Sequence, residues 1–159
     1  MAHIHELYDF TVSFLVLHPN EKKILLHFHR KLGFWNQLGG HIELDEHPIE
    51  ALERELKEEA GLNPEDYEII QTTSQIVPRN TISLPVGFGL YVYDYADSGH
   101  KHIDIPYLIK SKTTNIDPAE GESKQIGWFD KQQIETMYQD GQMDISIYDI
   151  CQWIFDTIL

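Results

Sequence analysis

Cysteine is all but missing from this chain. Cys151 stands alone, so no internal disulfide can form, and nothing points to an oxidising compartment. Basic side chains are also scarce: 12 Lys and Arg face 26 Asp and Glu, for a formal charge of −14. Such a surface repels a phosphate backbone, which makes nucleic-acid polymers poor partners. A small phosphorylated substrate is compatible only where something local, such as a bound cation, reverses the field. Apolar residues never run for the ~18 positions that a membrane span requires. The opening stretch from Met1 to Phe10 carries Glu6 and lacks the basic-then-apolar layout of a signal peptide. These absences lead to the expectation of a cytoplasmic protein without a membrane partner. The 159 residues, 42% of them apolar, are expected to form one domain over 1–159.

What the chain does have is patterned. Phe10–Leu17 and Ile24–Arg30 are rich in β-branched and aromatic residues, and His18-Pro-Asn-Glu21 between them reads as the turn of a hairpin. Gly33-Phe-Trp-Asn-Gln-Leu-Gly-Gly40 reads as a glycine-punctuated loop. His47–Ala60 reads as a helix, with Pro48 at its first position, Glu50 in its first turn and Gly61 at its C-terminal cap. Ile49, Leu52, Leu56 and Ala60 form its apolar face. Further strands are expected at Tyr67–Val77, Leu84–Tyr95, Ile103–Ser111 and Ile126–Phe129. A short helix is expected over Asp130–Tyr138, and a last one from Asp144 onward that presents Ile147, Ile150, Cys151, Ile154 and Ile158. Without repeats or linkers, this order implies one α/β domain with a mixed sheet.

The acids cluster. Glu43, Asp45, Glu46, Glu50, Glu53, Glu55, Glu58 and Glu59 fall within 17 residues, with Asp66 just beyond, against Arg54 and Lys57. Glu55, Glu58 and Glu59 lie within about one helical turn, where like charges repel unless a cation sits among them. Hard carboxylate oxygens in that arrangement suit Mg²⁺ or Mn²⁺. Gly39-Gly40 lets the backbone approach the same spot and offers a carbonyl ligand. Taken alone, though, a Glu-rich helix is more often a solvated face balanced by Lys and Arg.

The full spacing is far more specific. Gly40, Glu46, Arg54-Glu55-Leu56, Glu58-Glu59 and Gly61-Leu62 fill G-x5-E-x7-R-E-U-x-E-E-x-G-U, where U is bulky and aliphatic. This pattern resembles the Nudix box, with its nine specified positions all occupied. The lead-in Trp35-Asn-Gln-Leu-Gly-Gly40-His-Ile-Glu43 and the later Glu122-Ser-Lys-Gln-Ile-Gly-Trp128-Phe129 resemble the family's flanking segments. Leu38 departs from the proline common before the glycines, and His47 from the usual serine or threonine cap, histidine being the weaker cap. Neither occupies a specified position.

The resemblance implies a Nudix α/β/α sandwich with a mixed sheet and a loop–helix–loop catalytic motif. It implies hydrolysis of a phosphoanhydride bond in a nucleoside diphosphate linked to another moiety: a nucleoside triphosphate, an oxidised nucleotide or a nucleotide-sugar type of substrate. Mg²⁺ or Mn²⁺ would be held by Glu58 and Glu59 with the Gly40 carbonyl, and Glu55 would serve as a further ligand or as the base for water. Arg54 would orient a glutamate, and Glu46 would play a structural part. Some members keep their base in a loop before the last strand, where Glu120 and Glu122 stand here, Glu122 being preferred. A homodimer is compatible with the family but is not readable from the sequence.

Substrate contacts are less legible. Arg30, ten residues before Gly40, suits a bidentate phosphate contact or a surface ion pair. Phe34 and Trp35 suit stacking on a base, or the core. His-x-His pairs occur at His3/His5, His27/His29 and His100/His102, and Asp104 follows the last. On a strand, His100, His102 and Asp104 share a face. That face reads first as a polar outer surface; a zinc site, a phosphate patch or, for His102, a substrate contact are the alternatives. A catalytically silent nucleotide sensor is the competing function, although sensors usually lose the box glutamates retained here. An isopentenyl diphosphate isomerase needs a reactive cysteine, and Cys151 lies far in sequence from the box.

Overall fold

A computed structural model describes residues 7–70, 78–95 and 100–159. His3 and His5 lie outside these residues, as does 71–77, the later part of the expected Tyr67–Val77 strand.

Strand β1 (Tyr8–Leu17) organises the sheet. It pairs with β2 (Ile24–His29) across the expected turn, where the His18 ring Nδ1 accepts from the Asn20 and Glu21 N–H groups. The segment read as a glycine loop contains two short strands instead, β3 (Phe34–Asn36) on β2 and β4 (Leu38–His41) on β1. Gly39 and Gly40 do not break the ladder because each allows a close approach. A Cβ on Gly39 would lie 2.2 Å from the Val12 carbonyl oxygen, and the residue holds φ +143°.

Helix α1 (Pro48–Ala60) follows. His47 caps it more fully than its residue type suggests. Its Nδ1 accepts from the Glu50 N–H at 3.3 Å, and the Glu50 carboxylate accepts from the His47 N–H at 2.9 Å, a reciprocal capping box. Gly61 closes the helix in the left-handed conformation, φ +71°. After a 3₁₀ turn at Pro64–Asp66 come β5 (Tyr67–Ile70), β6 (Tyr91–Tyr95) and β7 (His100–Ser111). The expected Leu84–Tyr95 strand is thus confined to its last five residues. Pro85, Gly87 and Gly89 deprive the earlier part of strand character, and Phe88 instead donates its N–H to the Pro106 carbonyl. Conversely, β7 begins three residues before the expected Ile103, which brings His100 and His102 onto the strand. The last elements are β8 (Ile126–Phe129), α2 (Lys131–Gln139, capped by Asp130) and α3 (Ile145–Thr157, capped by Asp144).

The sheet runs β3-β2-β1-β7-β5, with β4 also on β1, β6 on β7 and β8 on β2. It is mixed because β1 and β7 are parallel while the other pairs are antiparallel. Alternation along β1 supplies two cores. Val12, Phe14 and Val16 pack with Leu52, Leu56 and Ala60 of α1. Leu15 and Leu17 pack with Ile134, Ile147, Cys151 and Ile154 beneath α2 and α3. The result is a sheet between helical layers, the α/β/α sandwich expected from the sequence. Among the described residues no helix is long and apolar enough to cross a membrane.

Candidate active site

The carboxylates of α1 meet the β4 backbone because the apolar stripe of α1 docks on the sheet just below them. A Cβ added to Gly40 would fall 2.1 Å from Glu55 Oε1, so only glycine lets the chain lie against that carboxylate. Next to it, the Gly39 N–H donates to Glu59 Oε2 at 2.8 Å. Glu59 is buried, 7% exposed. Burial is the main cause that pushes its carboxyl up to about 9, with Glu55, Glu122 and Glu58 adding to the effect against the Gly39 hydrogen bond. Glu55 is raised in the same way, by burial first, with the hydrogen bond from Arg54 pulling it back.

Arg54 sits at the centre of this group. Its Nη2 and Nε donate to the two oxygens of Glu46 at 2.6 and 3.0 Å, a bidentate fork. Nη2 also donates to the His41 carbonyl at 2.9 Å, and Nη1 reaches Glu55 Oε1 at 2.7 Å and Glu58 Oε2 at 3.5 Å. The Arg54 hydrogen bonds hold the Glu46 carboxyl below its ordinary range, and Glu46 in turn accepts the Glu43 N–H. One cation therefore serves Glu46, Glu55 and Glu58, while Glu59 has no arginine beside it and burial pushes its carboxyl toward the protonated form. A divalent cation would suit that site, because Glu55 and Glu59, packed against Gly40 and Gly39, offer hard oxygen donors with Glu58 beside them on α1.

The loop holding Glu122 is tied to the end of α1. The Asp117 N–H donates to the Ala60 carbonyl and the Ala119 N–H to the Glu58 carbonyl. Glu122 is half-buried and near enough to raise both Glu55 and Glu59; Glu120 is exposed. Arg30 is exposed as well, just past β2, and its Nη2 donates to the Glu122 carbonyl at 3.2 Å. Trp35 lies elsewhere, edge-on to Phe28 and Phe129, against the core under α2 and α3. His102 stands beside His41 and His100, also away from the carboxylates of α1. Asp104 is buried and accepts from the Thr11 and Ser13 hydroxyls at 2.7 and 2.6 Å.

Two features escaped the reading of the sequence. His27 is buried with Nδ1 3.6 Å from Glu59 Oε1. Burial, and secondarily His29, lowers it to about 4, so its ring is neutral at pH 7. Its alternation with the buried Leu25 on β2 was the available signal. The second is a cleft of about 380 Å³ lined by Phe10, Ile42, Leu44, Pro48 and Ile105, with Asp9 and Glu43. Four of these residues fall inside the Gly40–Leu62 span, but their convergence on Phe10 and Ile105 depends on the strand order.

Comparison with known proteins agrees with this geometry. The NUDIX domain family model matches residues 8–153, and the chain belongs to the Nudix hydrolase family, whose members generally use a divalent metal. A hydrolase of the NUDIX family from Clostridium perfringens superposes with a TM-score of 0.76 at 28% identity, covering 95% of this chain and 98% of that one. The Caenorhabditis elegans Ap4A hydrolase shares the fold, with a TM-score of 0.63 at 14% identity over 95% of this chain and 100% of that one. The m7GpppN-mRNA hydrolase NUDT17 of Danio rerio is 33% identical over 121 residues, 70% of this chain. The chain spans about two fifths of the length of that curated relative, 39%.

Proposed function

We propose that this protein hydrolyses a phosphoanhydride bond in a nucleoside diphosphate linked to a second moiety, with Mg²⁺ or Mn²⁺ bound at the α1 carboxylates. The observation that carries the reading is the packing of Glu55 and Glu59 against Gly39 and Gly40, where burial has raised both carboxyls and, among the described residues, no lysine or arginine pairs with Glu59. Glu58, Glu59 and Glu55 hold the cation together with the Gly40 carbonyl. That cation, when bound, neutralises the diphosphate, polarises the attacked phosphorus and lowers the pKa of water. Arg54, held by Glu46, fixes the position of Glu55 and limits its repulsion from Glu58. Glu122, or Glu55 itself, accepts the proton of the attacking water. Arg30 offers its free donors to a substrate phosphate beside that loop. The apolar cleft between Phe10, Ile42 and Ile105 takes the flat or apolar part of the substrate, and Glu43 in its lining disfavours a second phosphate group there.

The relatives' names support a nucleotide-type substrate without choosing one, since cap hydrolysis and Ap4A hydrolysis both break a phosphate chain attached to a nucleoside. The test is a product analysis by ³¹P NMR with Mg²⁺ or Mn²⁺, across nucleoside triphosphates, oxidised nucleotides, nucleotide sugars, dinucleoside polyphosphates and cap dinucleotides. Cleavage within the phosphate chain, giving two phosphorylated products, is expected for one of these classes. Nucleotide binding without turnover of any of them would overturn the proposal in favour of a sensor.

A further inference from the structure

Three histidines converge on the sheet face turned away from α1. Thr11 of β1 pairs with His41 on one side and with Asp104 on the other, and Asp9 pairs with His102. His100 and His102, two apart on β7, therefore project on the same face as His41 and Asp9. The His41 and His102 ring centroids are 4.8 Å apart, and those of His100 and His102 5.1 Å, both edge to face. One ring nitrogen from each of the three lies within 4.8 Å of those of the others. Asp9 completes the group: its Oδ2 is 3.0 Å from His100 Nε2 and 3.7 Å from His41 Nε2. Among the described residues, His41, His100 and His102 are the set of histidine, cysteine or acidic side chains whose ligand atoms gather so tightly, and Asp9 joins them through His100 and His41.

We infer that His41, His100, His102 and Asp9 form a second metal site, selective for a Zn²⁺-type ion and separate from the carboxylates of α1. Three imidazole nitrogens and one carboxylate oxygen make a tetrahedral donor set typical of zinc. Imidazole suits Zn²⁺, Ni²⁺ or Cu²⁺, whereas Mg²⁺ prefers oxygen, so the two sites sort their metals by ligand chemistry. Tetrahedral bonds of ~2.0–2.1 Å place ligand atoms ~3.3 Å apart. The rings close that gap by side-chain rotation, for His41 and His100 keep 18% and 14% of their side-chain surface exposed. Their anchor is firm, because the Asp9 side chain is 3% exposed. An ion here would clamp β4 to β7 across β1. His41 directly follows Gly40, and its carbonyl accepts from Arg54, so the clamp would bear on the strand that carries the catalytic loop.

The experiment is a Co²⁺ titration of metal-stripped protein held in excess Mg²⁺, which occupies the oxygen site. One equivalent of Co²⁺ should give the intense visible bands of tetrahedral coordination and be displaced by Zn²⁺. His100→Ala removes a direct ligand and should weaken that binding by more than the ~10–100-fold that loss of an outer-shell partner costs. Long-range ¹H–¹⁵N NMR of the unaltered protein, independent of any variant's folding, should show the ring nitrogens of all three histidines shifting on addition of Zn²⁺. Weak octahedral bands, binding unchanged in His100→Ala, or unmoved ring nitrogens would overturn the inference and leave the four residues as a hydrogen-bonded carboxylate–imidazole cluster. None of these readouts depends on hydrolysis, so their failure leaves the proposed activity standing.

Discussion

Gly39 and Gly40 are neighbours with opposite tolerances. A methyl on Gly39 meets the Val12 backbone at 2.2 Å, and nothing there can yield. A methyl on Gly40 meets the end of the Glu55 side chain, which can swing aside. Gly40→Ala is therefore expected to keep its thermal midpoint while losing about 100-fold in kcat, since a displacement near 1 Å at a reacting centre is that costly. A thermal melt beside a turnover assay checks the pair; an equal fall in both would show that Gly40 serves the fold alone. Tyr67 illustrates a different residue-scale effect. It is 6% exposed, its hydroxyl has no hydrogen-bond partner among the described residues, and burial raises its pKa to about 12. The folded state therefore holds the proton more tightly than the unfolded chain does, and stability falls as pH rises from about 10 to about 12. Tyr67→Phe removes the orphaned hydroxyl. It should leave stability unchanged or raise it by up to ~1 kcal/mol at pH 7, and should flatten the loss above pH 10 in urea titrations. A loss at pH 7 would mean that the hydroxyl has a partner in solution.

At the scale of elements, α1 was the most legible part of the molecule. Its cap, its stripe and its terminating glycine are local features, and the structure places them within one residue of the expected bounds. The Arg54–Glu46 fork was hidden, because eight residues separate the two and only the bend before Pro48 turns Glu46 back onto the helix. That fork predicts a variant. Glu46→Gln leaves Arg54 with a neutral partner, which should lower activity or metal affinity ~10–100-fold with the helix intact. Circular dichroism and metal titration check this, and wild-type affinity in the variant would deny Glu46 any part in positioning Arg54. The short strands β3 and β4 were read as a loop because glycine ordinarily marks turns. Here close approach to β1 and α1 is what glycine supplies, and that requirement belongs to the tertiary arrangement. The same holds for His27, whose contact with Glu59 arises only once α1 has packed on β1 and β4 beside β2.

The whole molecule divides its labour across the sheet. One face buries α1 and aims its carboxylates at the β4 backbone; the other packs α2 and α3, with Cys151, on Leu15 and Leu17 and carries the histidine group nearer the start of β1. The mixed α/β class was legible in the order of strands and amphipathic helices, and the three-layer sandwich followed from the resemblance to the Nudix box. The strand order was not, and it alone brings Glu122, Arg30 and Glu59 to one end of the sheet. Cys151 is fully buried, and burial pushes its thiol up to about 12. Iodoacetamide at pH 8 should leave the native protein unlabelled and label it at full stoichiometry in denaturant; rapid native labelling, read by mass spectrometry, would show that the α3 core opens.

The central claim is that the carboxylates of α1 form a metal-dependent hydrolytic centre. Glu58 is the right residue to test because its side chain is 48% exposed, so its substitution disturbs no core. Turnover of the cleaved nucleotide should be measured for wild type and Glu58→Gln across a Mg²⁺ titration, with chelator as the zero point. Hydrolysis should rise with Mg²⁺ in the wild type and vanish in a folded Glu58→Gln. Hydrolysis that survives chelation, or a Glu58→Gln enzyme as fast as the wild type, would contradict that claim.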